Sequence, residues 1–274
     1  MHGPALAFPE WLRLREPADA AARARDLVDE LRSALPTHGV VVVHDLGCGA
    51  GSMARWLAPQ LPGPQHWVMY DRDADLLALA GQDPPTVASD GAAVTVETRQ
   101  RDITRLEPEE LAGASLVTAS ALLDMFTAEE LDRFVAICTA AGSPTLVGLS
   151  VTGRVELTPT GALDGPLADA FNAHQRRDPG GGRLLGPDAA GAAADAFTAR
   201  GVEVLVRPSP WRLGPGEADL MAEWFNGWVG AAVEQHPELA AEVAPYAEHR
   251  LAEAAAGRLS VTVHHEDLLA RPRH

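Results

Sequence analysis

The chain has 274 residues, 46% hydrophobic and 22% charged, enough to bury the core of one large α/β domain with additions. A formal net charge of -16 is the wrong sign for holding a phosphate backbone, so the expected partner is a small neutral or cationic molecule and not nucleic acid. All 22 basic residues are arginine, which excludes Schiff-base chemistry, pyridoxal phosphate attachment and a phosphate-loop lysine, and the two cysteines, Cys48 and Cys138, form neither a disulfide framework nor a CxxC metal pair.

The opening stretch through Glu16 meets charge too early for the apolar centre of a secretion signal, and no apolar run reaches the length of a membrane span. A cytoplasmic location with no membrane partner is the default expectation. In chain order, residues 17–35 read as one amphipathic helix, with Leu27, Leu31 and Leu35 four apart and Pro36 as its stop. Residues 40–46 are a β-branched run of the kind buried on both faces of a sheet. A glycine cluster follows, then a helix with Met53, Trp56 and Leu57. Strands are expected at 66–70, 94–98, 115–119 and 145–151. Asp73 and Thr127 are placed to cap the helices between them, the latter with Glu130 in a capping box. Strand and helix therefore alternate from 40 to 151, the pattern of a parallel sheet with right-handed crossovers. Beyond it come a helix at 163–177, a glycine-rich loop at 178–188, a helix to about Arg200, a strand at 202–206, two or three helices between 217 and 256, and a last strand at 259–263. The end after 270 is expected to fray.

The sharpest signal is Asp45-Leu46-Gly47-Cys48-Gly49-Ala50-Gly51, which closes a buried strand and opens a helix. Glycines there permit positive φ and let a ligand approach the backbone. A dinucleotide fingerprint would want a glycine or alanine where Ser52 stands, and Asp45 sits poorly beside a pyrophosphate but well beside an ammonium group. Asp71 ends the second strand 20 residues after Gly51, and Asp102 follows the third.

Residues 40–151 thus resemble the core of the class I S-adenosylmethionine methyltransferases, whose first motif is acidic-x-G-x-G-x-G. The resemblance implies a doubly wound, mostly parallel, seven-stranded α/β sheet with added N-terminal and C-terminal helices. It implies S-adenosylmethionine as cofactor. The loop of Gly47, Cys48, Gly49 and Gly51 would run beneath its amino-acid end, with Asp45 near the ammonium group. Asp71 would take the ribose hydroxyls, Arg72 would lie along the adenine, and Asp102 with the backbone of Ile103 would meet the adenine edge. Ser120 to Asp124 occupies the fourth motif region, near the methyl group. No Asn/Asp-Pro-Pro-Tyr/Phe or Pro-Cys motif is present, which leaves a small-molecule acceptor as the best remaining subclass.

Methyl transfer demands alignment above all, and a base only where the acceptor must lose a proton. His174 is the first candidate base, because its ordinary pKa lies near neutrality, and Asp124 the second, although an N-cap role before Met125 explains it as well. Asn172, Arg176, Trp224 and Trp228 are candidate substrate contacts, the tryptophans as a wall over a flat molecule or, equally, as core. Residues 1–36 are expected to form a helical lid, with Arg15 facing the cofactor carboxylate, over a domain of residues 37–274 with a helical insertion at about 214–257. That insertion caps the substrate or forms a homodimer surface. His264 and His265 point to opposite strand faces, so no metal site is expected. Two other readings remain: a non-catalytic cofactor-binding protein, and a nicotinamide-dependent oxidoreductase.

Overall fold

A computed structural model describes residues 6–272; residues 1–5 of the expected lid and residues 273–274 of the expected frayed end lie outside them. The sheet has eight strands. Its central strands, β1 (Val41–Leu46), β2 (Gln65–Asp71), β3 (Val94–Gln100), β4 (Leu116–Ser120) and the start of β5 (Thr145–Thr158), are parallel in the order β3-β2-β1-β4-β5. The order reverses on either side of β1, so the carboxyl ends of β1 and β4 open a crevice where an α/β sheet takes its ligand. β8 (Ser260–Arg271) pairs antiparallel with β5 and then with β6 (Glu203–Pro208). A three-residue β7 (Trp211–Leu213), absent from the seven expected strands, pairs with the near end of β8.

Two boundaries differ from expectation for identifiable reasons. The single helix at 17–35 is two: α1 (Phe8–Ala22) and α2 (Arg25–Ala34), broken at Arg23 and Ala24. Ala24 gives its N–H to Asp267 Oδ2 at 2.8 Å instead of to the helix, which turns the chain. β5 and β8 are each about twice their expected length and form an antiparallel ribbon that continues past the parallel sheet. Arg271, placed by the sequence in a frayed end, lies within β8 and pairs with Glu30 and Glu203.

The helices α3 (Ser52–Leu57), α4 (Ala74–Gln82), α5 (Ala128–Ala140) and α7 (Ala189–Ala199) cover the two sheet faces, each with its own apolar core. Asp73 caps α4 by accepting from Asp75 N and Leu76 N, and Thr127 caps α5 with Glu130 as expected. A third core forms where α6 (Asp164–Gln175), α8 (Ala218–Gln235) and α9 (Ala240–Ala255) pack on the ribbon and β7. The two N-terminal helices divide between cores: Leu27, Val28 and Leu31 of α2 enter the first, whereas Trp11 and Leu14 of α1 pack on the third. Among the described residues no helix is long and apolar enough to cross a membrane.

Candidate active site

The glycine loop leaves β1 with Gly47, Gly49 and Gly51 at φ of +69°, +54° and +87°, a region that costs other residues about 1–2 kcal/mol each. Two of them serve different ends. A Cβ on Gly51 would meet Ala80 and Arg55 at 3.3 and 3.2 Å, so this glycine lets α3 and α4 pack closely. A Cβ on Gly49 would meet only Leu12 at 3.6 Å and would stand in open cavity. The loop is braced from β2, where Asp71 Oδ2 accepts from Gly49 N at 2.9 Å and Oδ1 accepts from Asp73 N at 3.0 Å.

Above this loop lies a cavity of about 720 Å³. Asp45, Gly47, Cys48 and Gly49 line its floor, and Asp71, Arg72, Asp102 and Ile103 one flank. Ser120 to Asp124 supply the far side, and Phe8, Leu12 and Arg15 of α1 form a wall. Asp102 accepts from Thr104 N and Thr104 Oγ1, and these bonds hold its carboxyl below the usual range. Asp45 is fully buried. Its Oδ1 accepts from Thr118 Oγ1 at 2.7 Å while Oδ2 has no hydrogen-bond partner, and burial pushes its pKa up to about 6. Asp45 thus brings a buried carboxylate with one unpartnered oxygen to the cavity floor, with the Arg23 charge nearby. Burial drives the Cys48 thiol pKa far up, which disfavours the thiolate.

Arg15 is not a free carboxylate receptor. Its Nε and Nη2 donate to Asp19 at 3.0 and 3.1 Å, and its guanidinium lies 5.0 Å from the Trp211 ring centre and 5.9 Å from that of Trp11. Trp211 Nε1 also donates to Asp19. Sequence reasoning missed Arg23, buried at the break between α1 and α2. It lies over Trp56 and donates to Ser120 Oγ at 3.0 Å, among the carboxylates of Asp19, Asp45 and Asp267. Asp267 in turn accepts from Leu149 N at 2.7 Å, where the β5 backbone bulges. Leu149 (φ +56°) and Ala121 (φ +51°) are the non-glycine residues held at positive φ among the described residues. Both border the same place, a second cavity adjoining the first, and strain of this kind gathers at functional sites.

The second cavity, about 200 Å³, shares Arg15, Ala121 and Asp124 with the first. Trp11, Trp211, Trp224, Trp228 and Phe171 give it aromatic walls. Trp224 and Trp228 stack at 5.4 Å, and Trp228 is core and cavity wall at once. Asp124 is not an N-cap: Thr127 caps α5, and Asp124 sits in a 3₁₀ turn with its carboxyl pushed up by burial and pulled down by Arg15 and Arg177.

Three expected site residues fall elsewhere. His174 borders neither cavity, since the α6 ridge facing the second one carries Phe171 and Gln175 and leaves His174 beside it. Asn172 and Arg176 lie one position further round α6 and border neither cavity. There Asn172 Nδ2 donates to Gly153 O and Arg176 makes a two-pronged pair with Asp188 at 2.6 and 2.7 Å, so both are structural ties. Among the described residues no cluster of His, Cys, Asp and Glu is arranged to hold a metal; His265 is buried against Trp211 and His264 lies beside Glu156.

Sheet order, glycine loop and a carboxylate at each of three successive strand ends are the arrangement of the class I methyltransferase fold. Residues 43–144 match the family model described as "Methyltransferase domain". No curated protein matches the chain. Among solved structures, its fold is similar to a cyclopropane-fatty-acyl-phospholipid synthase-like protein from Lactobacillus casei ATCC 334, at 15% identity, 97% of this chain, 94% of that one and a TM-score of 0.54. It is also similar to the cyclopropane synthase MmaA2 from Mycobacterium tuberculosis, at 13% identity, 97% and 95% coverage and a TM-score of 0.50.

Proposed function

We propose that the protein moves a methyl group from S-adenosylmethionine in the larger cavity to a small molecule in the smaller one. The observation that carries this reading is the shared wall: the two cavities meet at Ala121, Asp124 and Arg15. Bound in the first cavity, the cofactor supplies an electrophilic methyl on a sulfonium centre. Asp45 Oδ2 is the natural partner of its ammonium group, and Asp71, whose two oxygens already fix the loop, retains lone pairs for a ribose diol. Arg72, Asp102 and Ile103 would border the base. Gly47 and Gly49 let the amino-acid end lie on bare backbone, while Arg15 with Asp19 closes the side toward the acceptor.

Asp124 is the group we assign to accept a proton from the acceptor. It faces both cavities, is desolvated and has no competing side-chain hydrogen bond among the described residues. The remaining work is alignment and exclusion of water, for which α1 and the aromatic walls are placed. The test is calorimetric titration of the purified full chain with S-adenosylmethionine and with S-adenosylhomocysteine, followed by transfer of radiolabelled methyl to a library of small acceptors. Binding of both nucleosides and labelling of a small acceptor are expected. Indifference to both nucleosides, or label passing only to RNA or protein, overturns the reading.

A further inference from the structure

The walls of the smaller cavity say more about what enters it. Of its aromatic faces, those of Trp11 and Trp211 already carry the Arg15 guanidinium, so two of the five are occupied by a cation from within the protein. Arg154, a second wall residue, is paired with Glu156. A cationic acceptor would therefore meet two guanidiniums at the wall. The size argues against a long chain: about 200 Å³ lies below the roughly 300 Å³ at which drug-sized pockets begin.

The polar atoms are equally specific. Trp228 Nε1 is buried with no partner, and a buried indole N–H ordinarily has one. Gln175 Oε1, on the α6 ridge that faces the cavity, is buried and unpaired, as is His265 Nδ1. His265 stays uncharged at neutral pH, because burial drives its pKa down to about 3 and Arg15 adds to the effect. Three residues that wall the cavity thus each keep an unpartnered polar atom: a donor on Trp228, an acceptor on Gln175 and a neutral imidazole nitrogen on His265. Leaving each unmade costs about 1–3 kcal/mol, so a ligand that satisfies them is favoured over an apolar one of equal size.

Resting on the two-cavity reading above, we propose that the acceptor is a neutral, planar aromatic molecule of one or two rings carrying a hydroxyl or ring N–H, seated between Trp224 and Trp211 and read by Trp228 Nε1 and Gln175 Oε1. A phenolic oxygen meets both: it accepts from the indole N–H and donates to the amide oxygen. For transfer the O–H turns from the amide oxygen to Asp124, and as the oxygen–methyl bond forms and the sulfonium carbon–sulfur bond breaks, that proton passes to the carboxylate.

The test uses the full chain saturated with S-adenosylhomocysteine, titrated with 2-naphthol, its saturated counterpart decahydro-2-naphthol, and palmitate. 2-Naphthol is expected to bind at least tenfold more tightly than either. Trp228→Phe keeps an aromatic face while removing the pyrrole ring with its N–H, and Gln175→Leu removes the acceptor at a half-buried helix end; each should weaken 2-naphthol about tenfold, the worth of one hydrogen bond, and leave S-adenosylhomocysteine binding unchanged. Equal binding of the saturated alcohol, tighter binding of palmitate, insensitivity to both substitutions, or no binding of 2-naphthol while S-adenosylhomocysteine binds, each refutes the aromatic acceptor and leaves the cofactor site standing. Failure of S-adenosylhomocysteine itself to bind removes the two-cavity reading instead.

Discussion

Asp45→Asn separates what the fold wants from what the ligand wants. In the free protein the carboxyl is fully buried, with one oxygen bonded to Thr118 and the other without a partner, and burial pushes its pKa up to about 6 against an ordinary 3.8. A raised carboxyl pKa means that folding favours the neutral form. The penalty is absent below pH 3.8, grows between 3.8 and 6 and is complete above 6. At 1.36 kcal/mol per pH unit it reaches about 3 kcal/mol at pH 7. Asparagine keeps the oxygen that Thr118 bonds and carries no charge, so the unliganded variant should be more stable than the parent by up to about 3 kcal/mol at pH 7.5, with the gain vanishing near pH 4. Cofactor binding should move the other way, weakened by about 1.5–3 kcal/mol through loss of a charge-assisted hydrogen bond. Chemical denaturation at pH 4 and 7.5 reads the first effect, and calorimetry with S-adenosylmethionine the second. A variant that loses stability at pH 7.5 relative to pH 4, or binds as the parent does, refutes the assignment of Asp45 to the ammonium group.

Other outcomes follow from the same geometry. Asp71→Ala should weaken S-adenosylmethionine binding by about 1–3 kcal/mol and also lower the melting temperature, because Gly49 N and Asp73 N lose their acceptor; an unchanged dissociation constant removes Asp71 from the site. Gly49→Ala should cost about 1–2 kcal/mol of stability from its φ of +54° and block cofactor entry, whereas a variant with parental affinity places the cofactor elsewhere. Asp124→Asn should cut methyl transfer at least a hundredfold while leaving S-adenosylhomocysteine binding intact. The parent's rate should rise with pH through a carboxyl pKa above the usual range, a limb the variant lacks; a shared limb would assign it to another group. His174→Ala, outside both cavities, should leave turnover unchanged.

The parallel core was legible because its signals are local. A β-branched run, three glycines and a strand-end aspartate each state their own conformation, and the expected boundaries of β1, β2 and β4 lie within a residue or two of those observed. The second half was harder because tertiary contacts decide it. Nothing local says that β5 runs on to Thr158, since its extension exists to pair with β8. The break after Ala22 depends on a carboxylate 243 residues away in Asp267, and neither residue betrays the other in sequence. The same holds for the site. The residues around the glycine loop were readable from spacing, but Arg23, Trp211 and His265 reach it only through the fold. His174, Asn172 and Arg176 were grouped by adjacency along a helix, which scatters consecutive side chains around its axis.

The continuity of β5 and β8 has a consequence for traffic. Because the same two strands pass unbroken from the catalytic sheet into the packing beneath α8 and α9, those helices have no seam along which to swing away. The movable boundary is α1 instead, which walls both chambers and is moored by discrete ties, Glu16 to Arg55 and Asp19 to Trp211, in place of a shared ladder. Glu16→Gln, which loosens one of these ties, should hasten release of S-adenosylhomocysteine, read by stopped-flow dissociation, before it alters methyl transfer.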